Sequence, residues 1–141
     1  MAQVKFIPGE GQMISGTVPA RTELAHITFG SATTADVVVG DTAVYTLWTV
    51  SRPIMVFGLW TQTETAWTTS VTADIGDSTT AALFVSDTTI NPAATGAVLI
   101  AATAAFPIVY SAAQDLLLDV NGATTAAGLT HVYIHYAVLD D

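Results

Sequence analysis

Apolar and polar residues alternate along most of the chain, in short runs that end at turn-forming residues. The stretch Val71–Ile75 shows the alternation clearly, and Gly76 and Asp77 end it. A period of two is that of a strand with one buried face, and turn signals about every 8–12 residues are typical of sandwiches and barrels. The pattern therefore predicts an all-β fold.

Ten segments have the alternation, or the β-branched and aromatic composition, of strands. In chain order they are 25–29, 36–39, 44–50, 54–60, 71–75, 82–85, 98–100, 108–110, 116–120 and 131–139. Helix is predicted only as single turns, at 101–105 and 111–114. We therefore expect an antiparallel β-sandwich, jelly-roll-like, with eight to ten strands. The segment 54–60 is apolar on both faces, which predicts a strand covered on one side by the core and on the other by a neighbour, either within this chain or from another chain.

The first sixteen residues differ from the rest, because glycine and proline interrupt any long element there. We predict an extended N-terminal arm at residues 1–16 and a single sandwich domain at 17–141. The arm is too apolar for a solvated tail, so we expect it to dock on its own domain or on a neighbouring subunit, with simple disorder as the remaining alternative. Its predicted capsid or neighbour contacts are Phe6, Ile7, Met13 and Ile14. No long apolar stretch of a secretory signal is present at the start, which predicts a protein made in the cytoplasm.

Charged residues make up only 11% of the 141 residues, where about 25% is usual. So little charge predicts that partner subunits cover much of the surface, although a neutral, Thr-rich monomer is the alternative. The net charge of −9, with three scattered cations, argues against nucleic acid and anionic membranes as partners. No apolar run approaches the roughly 20 residues of a membrane span, and without cysteine there is no disulfide.

Candidate chemistry centres on His131, Tyr133 and His135, which share one face of the last predicted strand. The two imidazoles would lie about 13 Å apart along a strand, too far to bind one metal ion. We therefore predict neither metal nor cofactor and assign these residues to a subunit interface. No nucleophile–base pair or phosphate-binding loop is recognisable, so we expect no enzyme. Trp67 lies in a polar stretch, and its predicted exposure favours a carbohydrate- or receptor-binding module as the alternative.

From about Gly40 onward the chain resembles small, Ala/Thr-rich, cysteine-free β proteins of tailed-bacteriophage virions. The resemblance lies in a Trp-containing strand with an apolar continuation (Leu47 to Trp60), a strand that ends at Asp77, Ala/Thr-rich loops and the C-terminal strand from His131 to Tyr136. It implies a jelly-roll capsid decoration, or cement, protein. Such a protein is expected to be a homotrimer that binds the major capsid protein on the outer surface of the head. The same features also suit a tail or fibre component.

Overall fold

Eight β-strands form in the part of the chain that the computed structural model describes, residues 22–40, 43–67, 71–86, 106–121 and 128–139. They are β1 (Thr22–Gly30), β2 (Val37–Val38), β3 (Ala43–Val50), β4 (Ile54–Thr65), β5 (Thr72–Asp77), β6 (Ile108–Tyr110), β7 (Gln114–Asn121) and β8 (Leu129–Val138). No helix occurs in these ranges, and hence none that is long and apolar enough to cross a membrane.

The strands form two sheets that pack face to face. The larger sheet has the order β2-β1-β8-β4-β6, and the smaller has the order β3-β7-β5. All paired strands are antiparallel except β1 and β2, which run parallel. Side chains of both sheets, such as Ile134 and Leu118, are buried in one hydrophobic cluster. The predicted all-β sandwich is therefore confirmed.

Most of the predicted strands are present, with ends shifted by a few residues. The largest shift is in β4, which continues past Trp60 to Thr65. The predicted helical turn at 111–114 is wrong, because β7 already begins at Gln114. The predicted arm at 1–16, the strand at 98–100 and the turn at 101–105 lie outside the described residues.

The segment 82–85 is not a strand, contrary to prediction. It turns back over the end of β5, where the backbone N–H groups of Phe84 and Val85 donate to the carbonyl oxygen of Ile75 at 2.9 and 3.1 Å. The connection that leads into this segment packs tightly on β5, since a Cβ on Gly76 would lie 2.1 Å from the backbone oxygen of Thr80. Phe84 and Val85 are fully buried. Their apolar character therefore reflects burial in the core and not a ladder of strand pairing.

Asp77 joins the end of β5 to β6 in the opposite sheet. Its Oδ1 accepts hydrogen bonds from the backbone N–H groups of Thr79 and Thr80 at 2.8 and 2.9 Å. Its Oδ2 accepts one from the hydroxyl of Tyr110 at 2.8 Å. Burial raises the pKa of Asp77, but these three hydrogen bonds outweigh burial and hold the pKa below its ordinary value of 3.8. The carboxylate therefore closes one side of the sandwich.

Asp36 fixes the connection from β1 to β2. Its Oδ2 accepts hydrogen bonds from the backbone N–H of Thr28 at 2.8 Å and from the Thr28 hydroxyl at 3.1 Å. The backbone N–H of Asp36 donates back to the Thr28 hydroxyl oxygen at 2.9 Å. The backbone hydrogen bond is the main reason that the pKa of Asp36 is lowered. This reciprocal pair leaves an exposed carboxylate beside β1.

Candidate functional site: the outward face of the larger sheet

Strand β8 lies at the centre of the larger sheet and carries His131, Tyr133 and His135 on the side turned away from the core. Val132 and Ile134 alternate with them and are fully buried. This is the period of two that the sequence shows. We call the side that carries the three residues the outward face.

The neighbours of β8 add aromatic and polar side chains to this face. On β1, His26 lies directly opposite Tyr133, and Leu24 lies opposite His135. On β4, Trp60 lies opposite Tyr133 from the other side. Residues paired across a sheet project to the same side, so these side chains meet on the outward face.

Two irregularities in β4 enlarge the outward face. The register with β8 shifts between Val56 and Gly58 and again between Thr63 and Thr65. At each shift β4 has one extra residue, as in a β-bulge. The extra residues place Phe57 against the ring of His135, with centroids 5.2 Å apart, and Glu64 against His131.

Glu64, His131 and His26 form an end-to-end chain of hydrogen bonds. Glu64 Oε2 lies 2.6 Å from Nε2 of His131, and Nδ1 of His131 lies 2.7 Å from Nε2 of His26. The imidazole centroids are 5.0 Å apart, and the ring planes differ by only 8°. A face-to-face stack cannot combine that centroid separation with so short an N···N distance. The rings therefore lie edge to edge in nearly one plane, with one hydrogen bond between the facing nitrogens.

This arrangement determines what the histidines can do chemically. Both ring nitrogens of His131 are occupied, one by Glu64 and the other by His26, so they do not converge on one point. A metal ion needs several ligand atoms directed at a common centre. Among the described residues, no group of three or more His, Asp or Glu side chains has such an arrangement. The chain instead fixes the orientation of His131 and His26 as a rigid polar ridge.

An aromatic row crosses the sheet beside this ridge. The ring of Tyr133 lies nearly parallel to that of His26, with centroids 4.8 Å apart, and to that of Trp60 at 6.0 Å. Offset aromatic pairs of this kind provide rigid, flat contact area. We call His26, Tyr133 and Trp60 the aromatic row.

The outward face is also unusually apolar for an exposed surface. Of the five exposed large hydrophobic side chains among the described residues, four lie on it: Leu24, Val38, Phe57 and Val109. Leu24 is 56% exposed and Val109 is 51% exposed. Leu24 and Phe57 flank His135, and exposed large apolar side chains that are grouped in this way are characteristic of an interaction site.

The outward side of the smaller sheet is acidic by contrast. Asp115 and Asp119 alternate with buried leucines on β7, and Asp74 of β5 lies directly opposite Asp119. Carboxylates placed opposite each other repel, and a partner would have to remove water from both. The two outer surfaces of the sandwich thus differ in kind, and the larger sheet offers the better docking surface.

The sequence pattern predicted only some of the residues of this site. His131, Tyr133 and His135 lie on the outward face, but their role at a subunit interface stays a prediction. His26 and Glu64 carry no motif, and only the strand register brings them to His131. The predicted contacts of the arm, Phe6, Ile7, Met13 and Ile14, lie outside the described residues.

The prediction that Trp67 is exposed is wrong. Its side chain is 4% exposed, and its indole N–H donates a 2.9 Å hydrogen bond to the hydroxyl of Thr130, which also meets the hydroxyl of Thr63 at 3.1 Å. The polar residues beside Trp67 in the sequence give no indication of this partner, which lies 63 positions away. Trp67 belongs to the core and cannot stack on a sugar.

No protein-family profile matches the sequence, and no curated protein matches it. Two solved structures have a similar fold. A chain of the "Cyanophage Pam1 capsid asymmetric unit" superposes with a TM-score of 0.62 at 14% identity, over 99% of this chain and 96% of that one. A chain of the "Acidic stable capsid structure of Helicobacter pylori bacteriophage KHP30" does so with a TM-score of 0.57 at 14% identity, over 83% and 87%. At such identity the likeness shows that the fold is shared.

Proposed function

We propose that this chain is a structural protein of a phage virion, a capsid decoration (cement) protein that binds the outer surface of the assembled head. Its role is structural rather than catalytic. Its partners are the major capsid protein and further copies of itself, as a homotrimer made in the host cytoplasm. The shared fold with chains from two phage capsid structures supports a place in the virion.

The observation that carries the proposal is the outward face of the larger sheet. It combines exposed hydrophobic side chains with a rigid aromatic row, and rigid aromatic residues are enriched where proteins bind one another. Leaving such a face in water is unfavourable, whereas burial contributes roughly 25 cal/mol per Å² of apolar surface. The same chain has an acidic opposite surface, which suits a position away from packaged DNA.

A decoration protein acts by mass action. A ligand that binds the assembled head, but not its free subunits, stabilises the assembled state by an amount that grows with occupancy and affinity. No covalent bond needs to be made or broken. The rigidity of the sandwich and the interface chemistry are therefore the properties that matter.

Head binding tests the proposal directly. Heads of the encoding phage are stripped of this chain, mixed with the recombinant chain and pelleted. We expect the chain to pellet with assembled heads and to raise the temperature at which they release DNA. We also expect deletion of residues 1–16 to weaken binding about tenfold, since Phe6, Ile7, Met13 and Ile14 are the proposed capsid or neighbour contacts. Full-length chain that stays in the supernatant would contradict the decoration role.

The double variant His131→Ala/Tyr133→Ala tests the interface on β8. It removes the centre of the hydrogen-bond chain and of the aromatic row, so we expect the trimer to dissociate about tenfold or more readily. Light scattering at micromolar concentration measures the change. The matched control is Asp115→Ala/Asp119→Ala on the smaller sheet, which we expect to leave the trimer intact. An unchanged trimer in the β8 variant would show that the interface lies elsewhere.

A carbohydrate- or receptor-binding module is the second candidate, because the aromatic row could stack on a sugar ring. It is the weaker candidate, since Trp67 is buried and Trp48 packs edge-on against Tyr136. NMR shifts of the Trp60 indole on titration with simple sugars separate the two functions. Shifts that saturate in a monomeric chain would favour the binding module.

A further inference from the structure

Among the described residues, the exposed carboxylates of the outward face lie beside histidines and not beside lysine or arginine. The side chain of Glu64 is 60% exposed, and Asp36 is exposed beside β1. Arg52 is the one cation among the described residues, and it precedes β4 at the end opposite Glu64. Electrostatic complementarity therefore calls for an occupant that is apolar in its centre and carries a positive charge.

The chain itself contains one segment of that chemistry. Two of its three cations, Lys5 and Arg21, lie in the first 21 residues. Lys5 stands next to the aromatic and aliphatic side chains of Phe6 and Ile7. The outward side of the smaller sheet is itself acidic, so a second copy cannot present that side to the carboxylate of Glu64.

The length of the N-terminal segment is sufficient to reach another copy. Twenty-one residues precede β1, and an extended chain covers about 3.3 Å per residue, or roughly 70 Å in all. Thr22, where β1 begins, lies at the end of the sheet far from Glu64, beside Ala137. An arm that leaves at this end can extend beyond its own sandwich onto the face of a neighbour.

We propose that residues 1–16 of a second copy cover the outward face, with the ammonium group of Lys5 paired with Glu64 and with Phe6 and Ile7 on the aromatic row. The inference rests on the homo-oligomer of the proposed function and names the segment that fills its interface. It places the arm residues Phe6 and Ile7 at the same interface as Tyr133 of β8. The arm of each copy then holds the next, as closed rings of identical subunits require.

Charge exchange between Lys5 and Glu64 tests the pairing. Lys5→Glu and Glu64→Lys each place like charges together, so each is expected to weaken assembly at least about tenfold by light scattering. The double variant restores opposite charges but not the hydrogen bond between Glu64 and His131, so it is expected to assemble at least about threefold more strongly than either single variant. Single variants that assemble normally, or a double variant as weak as the singles, would overturn the proposal.

Mixing the two single variants decides whether the arm reaches its own face or a neighbour's. In a mixed assembly, Lys5 of the Glu64→Lys variant meets Glu64 of the Lys5→Glu variant. At the other kind of contact, the substituted glutamate at position 5 meets the substituted lysine at position 64. Both pairs have opposite charges. A ring of three copies always keeps one contact between like variants, so the mixture is expected to assemble only in part, yet more strongly than either variant alone. An arm that docks on its own domain gives no such rescue, and failure of the mixture would overturn the proposal.

Two controls keep the result specific. Arg52→Glu makes the same charge change before the start of β4, at the end opposite Glu64, and we expect normal assembly. Near-ultraviolet circular dichroism verifies that each variant keeps the packing of its aromatic side chains. The charge exchange is measured on the purified chain alone. Trimers that respond to it as expected but do not bind heads would overturn only the decoration role. This inference would be overturned by trimers that bind heads but assemble normally with each single substitution. A wild-type chain that is monomeric would also overturn it.

Discussion

Replacing Gly128 with alanine is expected to lower the free energy of unfolding by about 3 kcal/mol. Gly128 has a φ of +143°, which side-chain-bearing residues rarely adopt. A Cβ there would lie 2.2 Å from the indole ring of Trp67, which is itself held in the core by Thr130. The ring has to move, and its hydrogen bond is lost with it. Chemical denaturation followed by tryptophan fluorescence, at one fixed protein concentration, measures the loss.

Gly40→Ala is the matched control. A Cβ on Gly40 would meet no atom within 4 Å, and its backbone N–H keeps its hydrogen bond to the hydroxyl of Tyr45. We expect a change within about 0.5 kcal/mol. If Gly128→Ala were as stable as Gly40→Ala, the close packing of Trp67 against the backbone before β8 would be wrong.

Replacing Asp77 with alanine is expected to cost about 2–3 kcal/mol of stability. The substitution removes the acceptor of three hydrogen bonds and leaves the hydroxyl of Tyr110 half-buried without that partner. Denaturation midpoints measure the cost. Asp115→Ala, on the acidic outward side of β7, is the control and is expected to change stability by less than about 0.5 kcal/mol.

Asp77 also makes stability depend on pH. Its pKa is below 3.8 in the folded chain, despite the burial that raises it, because of the hydrogen bonds from Thr80, Tyr110 and Thr79. A lowered folded-state pKa contributes stability that is fully present above the unfolded pKa and is lost as the pH falls through the folded one. We therefore expect the original chain to lose more stability than Asp77→Ala between about pH 4 and pH 2. Parallel acid-unfolding curves would contradict this role.

The shape of the outward face explains why both proposals depend on it. Bulges in β4 add Phe57 and Glu64 to a sheet that regular pairing would have left flatter. The hydrogen-bond chain through His131 then holds the polar part of the face in one geometry. A preorganised surface loses less side-chain freedom when a partner binds, which favours affinity.

The period-two pattern alone determined which side of each strand faces the core. Along β8 it separates Val132 and Ile134 from His131, Tyr133 and His135, because successive side chains of any strand point to opposite sides. Composition alone likewise argues against nucleic acid as a partner and predicts that much of the surface needs covering. These properties depend on neighbouring residues or on sums over the chain, so no fold is needed to infer them.

Only the tertiary structure decided which residues meet. His26 and Glu64 reach His131 from 105 and 67 positions away, through the placement of β8 between β1 and β4. Trp67 is buried because Thr130 offers it a distant hydrogen-bond partner. Periodicity defines the side on which a residue lies but not the strand beside it, since strand order and register depend on the packing of the whole core.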